Sequence, residues 1–338
     1  MTKSQSSLSA RLRQAIEQRA TLIGRLHSEG TNCYRLFHGI AEGWPGLTID
    51  RYGEFVLIQT FRDPLTSDEF NEVREILDAH FGLTLPIVMN HRGQDGNQAI
   101  PWHDPGDAAT QRFVVLEHGM KVGLTPRHRG QDPHMFLDFR SGRRWIAEHA
   151  EGTSVLNLFA YTCTAGLAAA LGGASEVWNV DFSQSALDIG QRNFESNDIA
   201  ISSRFLKEDV FPVLWQLAGR GVRGRARRNR FTFVERRQFD LVVLDPPTWS
   251  KGRFGAVDLV EDYPSLLKPA LLATRSGGWL LATNHVASVD RETWEAVLMR
   301  TLEKTERKAA QIEWIPPGDD FPSFDGAPPL KIAAIQVT

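Results

Sequence analysis

Apolar residues recur at helical spacing in the first thirty positions and then change rhythm. Leu8, Leu12, Ala15, Ile16, Leu22, Ile23 and Leu26, set among charges, predict an amphipathic helix over 8–28. Strands are expected at 47–49 and 55–61, joined by a turn at 50–53, then a helix over 70–81 and a strand over 85–89. Residues 91–106 are rich in Gly, Asp, Asn and Pro and read as loop, and 113–122 reads as a hairpin around His118-Gly119. From Phe136 the pattern alternates. Helices at 138–149, 164–171, 183–196, 210–217, 263–273 and 291–307 separate strands at 154–159, 177–180, 203–206, 241–244 and 279–283, with final strands near 311–314 and 331–337. The alternation predicts an α/β fold: a doubly wound, mostly parallel, Rossmann-like sheet behind a small N-terminal α+β domain. The expected boundaries are a helical extension over 1–33, the small domain over 34–110 and the sheet domain over 111–338.

Composition narrows the class without naming it. The 338 residues are 42% apolar and 23% charged, with a net charge of −3, as expected of a globular protein with a full core. Two cysteines, Cys33 and Cys163, exclude a disulfide framework or a cysteine-based zinc cluster. The ten histidines show no ligand spacing, so no metal is expected. Neither a signal sequence nor a membrane-length apolar run is evident, and a cytoplasmic enzyme is the default expectation.

The chemistry collects where strands end. The apolar run Leu241–Leu244 leads into Asp245-Pro246-Pro247-Thr248-Trp249. Two prolines cannot continue a ladder, so they fix an acid and backbone carbonyls at the strand tip, with an aromatic nearby to stack on a planar ring. The plain alternative is a strand-ending turn. Two further acids follow earlier strands: Asp181, placed to hold ribose hydroxyls, and Asp209, placed to accept from an adenine amino group. The loop Tyr161-Thr-Cys-Thr-Ala-Gly166 opens the next helix with small residues. It lacks the G-x-G-x-x-G that makes room for a pyrophosphate, which argues against a nicotinamide oxidoreductase and for a cofactor without phosphates, S-adenosylmethionine.

Leu156-Asn-Leu-Phe-Ala-Tyr-Thr-Cys-Thr-Ala-Gly166, Val180-Asp-Phe-Ser-Gln-Ser-Ala-Leu187, Asp209-Val-Phe211 and Asp245-Pro-Pro247 resemble motifs of class I S-adenosylmethionine-dependent methyltransferases. The segments 35–53 and Phe136-Leu-Asp-Phe-Arg140 narrow the resemblance to the bacterial 23S ribosomal RNA large-subunit methyltransferase family, over about residues 34–338. The resemblance implies cofactor contacts from Phe136, Asp138, Arg140, Asn157, Phe159, Tyr161, Thr162, Gly166, Asp181, Phe182, Asp209, Val210 and Asp245. It implies a base-binding corner of Asp245, Pro246, Pro247, Trp249, Asn284 and His285. Asp138 and Arg140 have an ordinary alternative as a salt bridge near a helix start, and His285 as a surface or cap residue.

Two departures from the family pattern shape the expected reaction. Only about 33 residues precede Tyr34, too few for the RNA-binding PUA domain of the cytosine-5 branch. That branch is expected to carry a catalytic cysteine where this chain has His285. Cytosine C5 needs a thiolate adding at C6, whereas a nitrogen needs only orientation and accommodation of charge. Asp-Pro-Pro-Thr-Trp-Ser250 and Thr283-Asn284 are similar to the Asp-Pro-Pro-Thr-Phe-Ser and Ser-Asn-Asn of the guanine-N7 branch, so a guanine nitrogen is the expected target.

Between the third and fourth strands, residues 220–237 hold eight arginines and one acid, Glu235. Arg223, Arg225, Arg227, Arg228 and Arg230 are the expected RNA-contacting set, with Phe231 and Phe233 available to stack. The alternative is a solvated insertion. The expected partner is ribosomal RNA or a large-subunit precursor, met as a monomer or homodimer, without a membrane. A second possibility is a ribosome assembly factor that binds S-adenosylmethionine without turnover.

Overall fold

The helical pattern over 8–28 resolves into two helices, α1 (Leu8–Gln18) and α2 (Ala20–Ser28), separated by Arg19. The Arg19 guanidinium is buried, donates to the Ala15 carbonyl at 3.0 Å and pairs with Glu42. The computed structural model describes residues 7–93, 96–98, 100, 102–128 and 133–338. They form two units: one ends at Leu137 and regains 318–326; the other comprises 138–317 and 327–338.

In the first unit, β1 (Cys33–His38), β2 (Leu47–Tyr52) and β3 (Phe55–Thr60) form an antiparallel meander. The crossover helix α3 (Ser67–Phe81) then leads to β4 (Ile87–Gly93), parallel to β3, and β5 (Gly96–Gln98) completes a five-stranded sheet. The β2–β3 turn is Gly53-Glu54 rather than 50–53, because Tyr52 pairs directly with Phe55 and only Gly53 takes a left-handed backbone there. α3 begins at a capping box in which Thr66 and Glu69 exchange hydrogen bonds.

The unit ends beyond residue 110 because the hairpin β6 (Phe113–Glu117) and β7 (Met120–Leu124) is tied to the chain entering β1. Asn32 donates its N–H to the Leu116 carbonyl at 3.0 Å and accepts the Leu116 N–H on Oδ1 at 2.8 Å. Likewise α1 and α2 share one apolar core with the sheet and α3, so residues 8–28 are part of this unit and not an extension to it. The returning segment 318–326 is pinned by buried Asp320, which accepts the Arg35 N–H at 3.0 Å, and by Phe321 under the Arg35 guanidinium at 4.6 Å.

The second unit begins with α4 (Arg140–His149) and continues as β8 (Ser154–Leu158), α5 (Thr164–Leu171), β9 (Glu176–Asp181), α6 (Gln184–Ser196), β10 (Ser202–Lys207) and α7 (Val210–Leu217). Then come β11 (Phe239–Leu244), the small hairpin β12 (Trp249–Lys251) and β13 (Ala256–Asp258), α8 (Pro264–Ala273) and β14 (Thr274–Asn284). α9 (Arg291–Lys304), β15 (Ala309–Ile315) and β16 (Lys331–Val337) close the chain.

The sheet order is β10-β9-β8-β11-β14-β16-β15. The first five strands are parallel and β16 runs antiparallel to both its neighbours. This is the doubly wound α/β sheet that the alternation implies. Strands β8 and β11 lie side by side where the order reverses, and both faces of each are largely buried, which is why they read as predominantly apolar runs. Residues of α7, α8 and α9 form one apolar core with one face of the sheet. Because β8, β9, β10, β11 and β14 are parallel, their carboxyl ends share one edge, so Asp181, Asp209, Asp245 and Asn284 emerge on that edge. Among the described residues no helix is long and apolar enough to cross a membrane, and no group of three or more His, Cys, Asp or Glu could hold a metal ion.

Candidate active site

The loop after β8 bends through left-handed backbone at three non-glycine residues, Phe159, Tyr161 and Cys163, with φ of 55°, 46° and 61°. Each such residue costs about 1–2 kcal/mol, so the loop needs external support. Asp181 provides it. Its carboxylate, only 4% exposed, accepts the Tyr161 N–H at 2.8 Å on one oxygen and the Ser183 N–H at 2.8 Å on the other. The Ala160 N–H donates to the Val180 carbonyl at 3.0 Å, extending the attachment to β9.

Packing beneath the loop leaves no slack. Asn157 is buried and donates to Asn179 Oδ1 at 2.9 Å. A Cβ at Gly166 would stand 2.1 Å from that same oxygen, and one at Gly190 would stand 2.3 Å from Cys163 Sγ. Asn157 and Gly166 therefore stand behind the loop as its supports, and within it Thr162 is buried while Phe159 and Tyr161 are partly accessible. Phe182, beside Asp181, is 62% exposed and offers a flat apolar face at the edge.

Asp209 caps α7, accepting the Phe211 N–H at 3.0 Å on Oδ1. Its other oxygen lies against Gly252 of the β12–β13 hairpin, where a Cβ would approach to 2.4 Å. Val210 turns into the core.

At the fourth tip the pairing of Leu244 with Ala282 brings Thr283 beside Asp245. The Thr283 hydroxyl donates to Asp245 Oδ1, and the buried Tyr263 hydroxyl donates to the Thr283 carbonyl at 2.9 Å. Pro246 is buried and Pro247 partly so. Asn284 is fully buried; its Oδ1 accepts the Val286 N–H at 2.9 Å, and its amide nitrogen has no hydrogen-bond partner among the described residues. His285 is half-buried close to Asp245. Trp249 opens β12 with 62% of its surface exposed.

Electrostatically the edge is uniform. Burial pushes the carboxyls of Asp181, Asp209 and Asp245 all above the ordinary aspartate range. Backbone N–H groups partly offset this at Asp181 and Asp209. At Asp245 the Thr283 hydroxyl, His285 and Arg143 offset it, while Asp138 adds to it. Asp138 and Arg143 thus share the Asp245 corner, and the Arg143 side chain, 2% exposed, lies 5.9 Å from the Phe139 ring centre. Arg140 is also buried, and Phe136, exposed, belongs to the first unit. Sequence reasoning passes over Tyr263, Arg143 and Gly252, and does not assign Thr283 to the site. Only Thr283 carries a sequence signal, since it stands with Asn284 in the pair that is similar to the guanine-N7 branch.

Residues 34–335 match the model of a family described as S-adenosylmethionine-dependent methyltransferase. The chain is an S-adenosylmethionine-dependent methyltransferase. It is 30% identical to a Deinococcus radiodurans protein named ribosomal RNA large subunit methyltransferase, over 97% of this chain and 78% of the relative. It is 28% identical to the Aeromonas salmonicida ribosomal RNA large subunit methyltransferase I, over 92% and 75% of the two chains. In fold it is similar to a Streptococcus mutans protein assigned as a SAM-dependent methyltransferase (TM-score 0.76, 23% identity, 99% of this chain and 83% of that one). It is likewise similar to a methyltransferase-assigned protein solved with SAH (TM-score 0.78, 22% identity, with the same coverage).

The methyltransferase edge fits its cofactor on charge. Three desolvated carboxyl groups at the tips of β9, β10 and β11 favour a cationic ligand, and S-adenosylmethionine carries a sulfonium and an ammonium. The same arrangement would repel a pyrophosphate.

Two predictions follow from this geometry. Gly190→Ala should drive Cys163 upward and weaken S-adenosylmethionine binding about tenfold, within the 1–3 kcal/mol typical of over-packing. Adding Cys163→Gly, which removes the clash and suits the left-handed backbone, should restore affinity by calorimetry; no recovery would mean that the loop is not held from below. The second prediction concerns Asp245. Its folded-state pKa lies above the unfolded one, so its contribution to stability is present at acid pH and lost as pH rises through the folded value. Asp245→Asn should therefore unfold at higher denaturant than wild type at neutral pH. That gain should shrink toward the ordinary aspartate range, and a pH-independent difference would contradict the assignment.

Proposed function

We propose that this methyltransferase modifies a guanine nitrogen in large-subunit ribosomal RNA, and that it works in the cytoplasm, where ribosomes are. The observation that carries the choice of atom is the burial of both thiols. Cys33 and Cys163 are each fully buried, and burial, with Asp181 nearby, raises the Cys163 thiol well above its usual range. Neither can supply the exposed thiolate that carbon methylation of cytosine requires. The names of the Deinococcus and Aeromonas relatives support ribosomal RNA as the substrate class.

In this reading Asp181 holds the cofactor's ribose, Phe182 and Asp209 its adenine, and the backbone of 159–163, with Asp138 and Arg140, its remaining polar groups. S-adenosylmethionine supplies an electrophilic methyl group on sulfur. The chain's part is orientation. Asp245 and the Pro246 carbonyl accept from the base edge, the buried Asn284 amide donates to it, and Trp249 stacks on the unstacked base. Where the attacking nitrogen carries a proton, as N1 and N2 of guanine do and N7 does not, Asp245 is the group placed to accept it after alkylation.

The test is to incubate the protein with labelled S-adenosylmethionine and unmodified large-subunit RNA, digest to nucleosides and identify the product by mass spectrometry. A methylguanosine is expected, retained in the Cys33→Ser/Cys163→Ser double variant and reduced about 100-fold or more in Asp245→Ala. A 5-methylcytidine product would overturn the nitrogen assignment, and a product confined to protein would overturn RNA as substrate.

A further inference from the structure

The arginine-rich insertion between α7 and β11 is anchored. Glu208 accepts the Thr232 N–H at 2.6 Å, while Gln216 donates to the Thr232 carbonyl at 3.0 Å and accepts the Val234 N–H at 3.3 Å. The Asn229 amide donates to the Arg253 carbonyl at 2.9 Å, and Phe231 meets Phe254 edge-on at 6.2 Å. These contacts join the insertion to the tip of the β12–β13 hairpin.

The arginines divide by role. Arg237 pairs with Glu176 and lies over Phe239 at 4.8 Å, so it serves the fold. Arg223, Arg227, Arg228 and Arg230 stay exposed; the side chain of Arg225 lies outside the described residues. Between insertion and hairpin tip is a cleft of about 620 Å³ whose walls include Arg228, Asn229, Lys251, Gly252, Arg253 and Phe254. Its lining holds three cations and no carboxylate, in a chain whose net charge is −3. The cleft is open to solvent, as a groove that follows a nucleic-acid backbone must be.

The hairpin links this cleft to the reaction corner. Trp249 and Lys251 are both exposed and stand two apart on one strand, so they share a face. Trp249 is four residues from Asp245; Lys251 is at the cleft. An aromatic platform followed by a cation along one face is the arrangement that tracks a nucleic-acid single strand, with bases stacked and phosphates neutralised. Gly252 touches both the cleft and Asp209.

We propose that this cleft binds the backbone of single-stranded RNA, holding phosphates of the nucleotides next to the target base while Trp249 meets the base side. The proposal rests on the RNA reading above and adds the surface by which the RNA is held. The test compares Arg228→Glu/Lys251→Glu/Arg253→Glu with a control, Arg192→Glu/Arg300→Glu/Lys304→Glu, which reverses three exposed cations on α6 and α9. Both are titrated with a single-stranded large-subunit RNA fragment over a range of salt.

The cleft variant should lose at least about tenfold in RNA affinity, and its log–log salt slope should flatten by about 2, from roughly 0.7 per lost phosphate contact. S-adenosylmethionine affinity and the unfolding midpoint should stay at wild-type values. If the glutamates disturb folding, the corresponding glutamine triple should show the same change in slope. A cleft variant indistinguishable from the control overturns the proposal, even while the wild type methylates RNA. A loss confined to an intact ribosomal particle, with the naked-RNA slope unchanged, overturns it in favour of a protein contact. Failure of the base-methylation reading shows separately, as a wild-type protein that transfers no methyl group to RNA.

Discussion

The carboxylate of Asp181 holds the methyltransferase edge together. It closes the left-handed loop after β8 through Tyr161 and starts α6 through Ser183, joining two loops with one desolvated group. Charge-assisted hydrogen bonds of this kind are about twice as strong as neutral ones. They offset, in part, the three unfavourable backbone conformations that the loop adopts. Without them Phe159, Tyr161 and Cys163 would relax toward ordinary backbone, and the surface that the edge offers to a ligand would change. In the proposed reading the same acid holds the ribose, so the loop's shape and the site's recognition would depend on one side chain.

Desolvation gives the edge its chemistry and also its instability. Asp181, Asp209 and Asp245 all favour the protonated form more than an exposed aspartate does. At neutral pH the edge therefore carries a free-energy cost that a cationic ligand relieves. The register of β11 against β14 limits that cost at Asp245 by bringing up Thr283, itself held through its carbonyl by Tyr263. A strand pairing deep in the core thus tempers the effect of burial on the acid at the strand tip.

Much of this was legible in the sequence because buried parallel strands are rich in apolar residues. β8, β9, β11 and β14 announce themselves, and with them the acids at their tips. What was hidden required knowledge of long-range contacts. β1 contains Arg35 and His38, polar residues that mask a strand buried on both faces; Asp50 accepts the Arg35 guanidinium at 2.7 and 2.9 Å, and Glu42 accepts the His38 N–H. The extent of the first unit depends on Asn32 meeting Leu116 across 84 positions. Bulky residues disfavour left-handed backbone, so nothing local foretold the form of the 159–163 loop. The motif resemblance points to Asn157, Gly166 and Val210 at the ligand, and in the structure their side chains, or the lack of one, serve packing beneath it.

The insertion shows why charge must be read in place. Eight arginines in a chain of net charge −3 leave the overall balance slightly acidic, and overall balance governs solubility more than recognition. Anchoring by Glu208, Gln216 and Asn229 turns a run of charge into a wall with a fixed position. A flexible arginine tract would have to lose side-chain and backbone freedom on meeting a phosphate. Here much of the backbone ordering is already done, by contacts to the third strand tip and to the hairpin that follows Asp245. One attachment point is beside Asp209 and the other is on the hairpin that follows Asp245. Whatever ligand the cleft takes is thereby held a short distance along the chain from Asp245.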